Sequence, residues 1–219
     1  MKRLGLLLLP ILAITLLLGG NAFAQNVGDN SVYFVTYYSN ANTAGAPDGT
    51  LRIINDGDNA TIPSGEGVEN GTLWAAIYVF DDSQELRSCC ACQITADGLL
   101  SESVNKELTV NEFTGRGEMT RGVIKVISSR SSDPTAPIPD PGLRGWATHI
   151  EATTTTFPSG PGAPVNAKEA GPWFTTETAL SDSNLTALEE GNLGTLCSYG
   201  LTIGSGYGLC PCTLEYYEF

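Results

Sequence analysis

The sequence predicts a mainly all-β fold: an immunoglobulin-like β-sandwich with one late α-helix stapled to it by disulfides. Three observations carry this expectation. Short segments rich in β-branched and aromatic residues recur at close intervals, separated by polar turns. A helical apolar period occurs only late, after residue 183. Six cysteines fall into two clusters of three, Cys89, Cys90 and Cys92 against Cys197, Cys210 and Cys212.

SVYFVTYYS (31–39) is aromatic and β-branched on both alternating faces, which suits a strand buried on both sides or one with an aromatic outer face. NANTAGAPDGT (40–50) concentrates Asn, Gly, Pro and Asp and reads as a loop. LRIIN follows as a short strand, and 55–71 as a second polar loop. TLWAAIYVF (72–80) is continuous and apolar, the strongest strand signal in the chain. DDSQELRS reads as a short connection into CCACQIT. GVIKVISS (122–129) and GWATHIEATTTT (145–156) are further strands. The Pro-rich stretches 131–142 and 157–174 are expected to be extended surface loops, because proline cannot donate to a sheet ladder. SNLTALEEGNLGTLCSYG (183–200) places Leu185, Leu188, Leu193, Leu196 and Cys197 at helical spacing. Ser183, or Thr186 with Glu189, caps its start, and Gly200 is a natural stop. An eight-stranded membrane barrel would need regular amphipathic strands of ~10 residues, which the Pro-rich loops, cysteines and helix fit badly.

The first residues define the expected compartment. Lys2 and Arg3 precede an apolar run, Leu4 to Leu18, and Ala22-Phe23-Ala24 offers a small-x-small cleavage site. The run is shorter than the ~20 residues that span a bilayer, and Pro10 interrupts it. Residues 1–24 are therefore expected to be a signal peptide, and 25–219 a single secreted domain, whether extracellular, on the cell surface or periplasmic. Losing Lys2 and Arg3 takes the formal charge from −13 down by two, to −15. So acidic a surface repels nucleic-acid phosphates and anionic headgroups. Neither nucleic acid nor membrane insertion is expected after the signal is removed.

Several segments resemble a group of uncharacterised secreted bacterial proteins. They are VTYYSNANTAGAPDGTLRI, IYVFDDSQELRSCCACQIT with the following DGLLSESVNKELT, GVIKVISS, and LSDSNLTALEEGNLGTLCSYGLTIGSGYGLCPC. The cysteine blocks are the most specific part of the match. The resemblance implies one domain closed by a Cys-bearing C-terminal segment, and it implies no activity.

The cysteines are read as staples. Their count is even, and an exported chain meets an oxidising environment. Zinc sites use spacings such as CxxC, which CCxC and CxC match poorly. Cys89 and Cys92 have the redox CxxC spacing, but Cys90 lies between them and no thioredoxin-like alternation surrounds them. On a strand, Cys90 and Cys92 face one side and Cys89 the other. Closure within a cluster is strained. Bridges between clusters leave several pairings open.

No catalytic constellation is visible. His149 is the only histidine, and IGSGYG lacks the GxSxG spacing of a nucleophile elbow. Two distant carboxylates would leave no local signature. Trp74 lies in the apolar strand and is expected in the core, while Trp146 and Trp173 are candidates for stacking on a sugar ring. NDGDN (55–59) gathers oxygens without EF-hand spacing, and turn chemistry explains it. Three sequons, at Asn59, Asn70 and Asn184, are read as chance. No cofactor or metal is expected. The expected role is a non-catalytic extracellular or cell-surface structural or interaction protein, self-associating through strand edges such as LEYYEF (214–219). A carbohydrate-binding module is the first alternative and a secreted hydrolase the second. The corresponding partners are the chain itself or an extracellular polysaccharide.

Overall fold

The computed structural model describes residues 30–58, 68–111, 115–116, 119–156, 168–203 and 208–212. Residues 1–24, expected to be a signal peptide, the sequon at Asn59 and LEYYEF lie outside them. Among the described residues, two stacked sheets and one α-helix make up three layers. The first sheet holds β1 (Tyr33–Tyr38), β3 (Leu73–Asp81), β4 (Leu86–Ile94), β8 (Gly122–Ser129), β11 (Ser181–Asp182) and β12 (Gly208–Leu209), in the order β11-β1-β8-β3-β4-β12. The second holds β2 (Thr50–Asn55), β5 (Leu99–Ser103), β9 (Leu143–Thr156) and β10 (Lys168–Ala179), in the order β10-β9-β2-β5. A small ribbon joins β6 (Val110–Asn111) to β7 (Gly115–Arg116). Pairing is antiparallel except where β12 runs parallel to β4. The β2–β5 and β8-β3-β4 pairings are those of the inner strands of an immunoglobulin sandwich. β1 and β9 lie in the sheets opposite to those that the first and last immunoglobulin strands occupy.

β3 explains the three layers. Leu73, Ala75, Ile77 and Val79 point between the sheets, against Leu51, Ile53, Leu100 and Leu143. Ala76, Tyr78 and Phe80 point the other way, into a second cluster with Leu193 and Cys197 of the helix α1 (Ala187–Ile203). A strand with a core on each face must be apolar at every position, hence the unbroken TLWAAIYVF. Each large side chain so buried contributes about 1.5–3 kcal/mol relative to exposure. Trp74 is buried as expected.

α1 starts later and buries a narrower stripe than its sequence suggests. Thr186, not Ser183, is the cap: its hydroxyl accepts from Glu189 N at 3.1 Å. Ser183 N instead donates to Tyr33 O at 2.9 Å, extending the β1–β11 pairing. Leu193 and Cys197 are buried, but Leu188 and Leu196 are exposed. The close approach comes from Gly194, where a Cβ would stand 2.3 Å from Thr135 O. A glycine costs helix propensity, but here it lets the helix axis meet the 131–142 loop. Gly200 does not stop the helix, which runs on to Ile203.

The stretch 157–174 is also corrected in part. β10 begins at Lys168, so Pro172, Trp173 and Phe174 lie in a strand and not in a loop. The sheet tolerates Pro172 because β10 is an edge strand and the register shifts between Ala170 and Trp173. Residues 157–167 lie outside the described part.

Candidate functional site

β4 presents its cysteines to both faces of the first sheet. Cys90 sits opposite Ile77 and Cys92 opposite Ala75, on the face between the sheets. Cys89 sits opposite Tyr78, on the helix side. The bridges follow this alternation. Cys89 joins Cys197 of α1, while Cys90 joins Cys210 and Cys92 joins Cys212. The Cα separations of 5.9, 5.3 and 5.2 Å are ordinary for disulfides. β12 returns the chain alongside Ser88 and Cys89 and delivers Cys210 to the inner face. The sulfurs of Cys90, Cys92 and Cys212 lie within 4.8 Å of one another. As disulfide sulfurs they have no thiolate to offer a metal, so this cluster is a staple.

A polar clip reinforces the helix contact, and the sequence reading missed it. Glu189 accepts from Lys125 Nζ on β8 at 2.6 Å and from the Tyr33 hydroxyl at 2.9 Å. The Lys125 hydrogen bond holds the Glu189 carboxyl below the usual range. The Tyr78 hydroxyl donates to Pro134 O at 2.7 Å and ties the 131–142 loop down beside the helix. Burial raises the Tyr78 phenol above its ordinary range. Only Glu189 carried a signal in the sequence, as a capping residue.

His149 is packed. It is buried, its ring stacks on Tyr37 at 3.9 Å between centroids, and Nε2 meets the Thr178 hydroxyl at 2.5 Å. Burial lowers its pKa, with the Tyr37 backbone and the Glu151 charge pulling the other way. Its strand face is therefore not the open polar one that WATHIEA suggests. The carboxyls of Asp81, Asp133 and Glu189 are all shifted downward. Asn55 of NDGDN is structural: its amide donates to Gly71 O and Ile94 O, and its oxygen accepts from Gly57 N. Asp56 pairs with Arg144 at 3.2 Å.

Trp146 and Trp173 share one face of the β9/β10 hairpin without meeting. Trp146 lies opposite Ala179, and Trp173 opposite Ala152. Six residues of β9 separate those rows, about 20 Å at strand rise. Both rings are half-buried, and the Trp173 side lies against the loop at Gly45. The more open aromatic is Tyr199 on α1, which is 60% exposed. It borders a groove of about 560 Å³ whose hydroxyls come from Thr135, Thr195, Ser198 and Thr202.

The sheet edges differ sharply. β11 and β12, the edges of the first sheet, are two residues each. β5, one edge of the second, has five residues and leads directly into a π-helical turn, Val104–Leu108. β10, the other edge, has 12 residues. From Phe174 to Ala179 each β10 side chain is exposed, Phe174 at 53%. Among the described residues only β9 pairs with it. Short edges and charged edges protect sheets from pairing with other chains, and the 173–179 stretch of β10 is neither short nor charge-rich. Its one charge, Glu177, is engaged by Arg52.

No family model, no curated protein and no solved structure matches the chain. Among the described residues no helix is long and apolar enough to cross a membrane.

Proposed function

We propose that the protein is a non-catalytic extracellular interaction protein that engages other chains by strand addition at β10. The observation that carries this reading is the contrast between the long exposed edge of β10 and the short edges elsewhere. Strand addition uses main-chain hydrogen bonds for affinity and alternate side chains for selectivity. Secretion through residues 1–24, and membership of the secreted cysteine-block group, belong to the same reading. Three disulfides suit an oxidising compartment. The packed position of His149 supports a non-catalytic role.

A carbohydrate-binding module is the second reading, favoured by the hydroxyl-lined groove beside Tyr199. Aromatic faces pack on the apolar faces of sugar rings. Titration with soluble cellulose, chitin and glucan fragments, read by intrinsic fluorescence and calorimetry, separates the two. Interaction through β10 predicts no saturable response with any of them. Saturable binding that Tyr199→Ala, Trp146→Ala or Trp173→Ala abolishes would overturn the proposal in favour of the sugar module.

A further inference from the structure

We infer that the strand added to β10 is the β10 of a second copy, paired antiparallel about a two-fold axis through Thr176. The inference rests on the strand-addition reading above and names its partner. A self-paired antiparallel ladder about one residue sets outward-facing residues opposite outward-facing ones, so each outward N–H meets an outward C=O of the other copy. Centred on Thr176, it pairs Trp173 with Ala179, Phe174 with Thr178 and Thr175 with Glu177 of the other copy. The neighbouring registers are worse. Centred on Thr175, the ladder has only five residues, 173–177, before it runs into the register shift between Ala170 and Trp173. Centred on Glu177, it sets that carboxylate opposite itself, a destabilising like-charge pair. The Thr176 register avoids both. It spans seven residues, a usual strand length, and leaves Glu177 opposite a threonine while Arg52 of its own copy holds it. The two four-stranded sheets become one continuous sheet, and half-exposed Phe174 gains cover.

Net charge sets the salt dependence. Two copies without residues 1–24, each at −15 (−13 less Lys2 and Arg3), repel. Self-pairing therefore tightens as ionic strength rises from about 0.01 M to about 1 M, where the screening length falls from ~30 to ~3 Å. A cationic partner on the same edge would show the reverse.

The test is sedimentation of the chain without residues 1–24, as wild type, Thr176→Lys, Thr176→Glu and an equimolar mixture of the two variants. Thr176 is exposed, so both variants should fold, which circular dichroism verifies. Wild type should dimerise with concentration, and more tightly in salt. Each variant alone places like charges opposite one another and should weaken dimerisation about fivefold or more. The mixture should restore it as a heterodimer. A chain monomeric at every concentration and salt, or a dimer indifferent to both variants, would overturn the inference. So would a dimer that deletion of 214–219 abolishes. None of these results bears on sugar binding, so failure of self-pairing is distinguishable from failure of the strand-addition reading.

Discussion

Reducing the three disulfides should release residues 187–212 while the sandwich stays folded. The bridges close sequence separations of 108, 120 and 120 residues. Loop entropy gives the first about 4–5 kcal/mol, and the later ones less because the loops overlap. The helix has little to hold it otherwise. Its 17 residues include Gly191, Gly194 and Gly200, and it buries mainly Leu193 and Cys197. The Lys125–Glu189 pair is partly solvated and contributes up to about 1 kcal/mol. In the double variant Cys89→Ser/Cys197→Ser, the loss should be about 2–5 kcal/mol. Hydrogen exchange reads the result locally. Amides of 187–203 should lose protection, while those of β3, buried on both faces, keep theirs. Full protection of α1 after reduction would show that packing and the clip alone hold it.

Gly122→Ala should destabilise the protein by about 3–5 kcal/mol, among the largest effects of a single substitution. Gly122 lies between Tyr38 of β1 and Asp81 of β3 in the ladder. A Cβ there would stand 1.9 Å from Phe80 O and 2.7 Å from the Tyr38 hydroxyl. The first contact is backbone, so the central sheet itself must move. It would also break the Tyr38 hydroxyl's hydrogen bond to Phe80 O, 3.1 Å long. Gly191→Ala is the contrast, with nothing within 4 Å of the new methyl. In an exposed helical position it should stabilise by about 0.5–1 kcal/mol. Chemical denaturation of both variants measures the pair. Equal midpoints would contradict the tight approach at Gly122.

The strands were most legible where both faces needed apolar residues, as in TLWAAIYVF, or where the β signal ran unbroken, as in GVIKVISS. The cysteine alternation was legible too, because a strand's period of two separates Cys89 from Cys90 and Cys92 whatever surrounds them. Pairing was not, since it depends on β12 running beside β4. β10 was hidden by its prolines: an edge strand needs only one side of its ladder, a fact about position in the sheet that no local window contains. The helix face failed for a related reason. Leu188 and Leu196 have the right period, yet Gly194 and Cys197 decide which side docks. The packing of His149 needed Tyr37 and Thr178, which are far from it in sequence. The β10 edge, with no second strand beside it among the described residues, became visible only once the sheet order was known.

One strand, β4, fastens the C-terminal segment through both of its faces. Stepwise reduction and alkylation of the oxidised chain, followed by fragment-ion sequencing, tests it most directly, because no protease separates adjacent Cys89 from Cys90. The expected assignment is Cys89 to Cys197, Cys90 to Cys210 and Cys92 to Cys212, with no free thiol. Cys89 found bridged to Cys210 or Cys212, or a free thiol at any of the six positions, would contradict it.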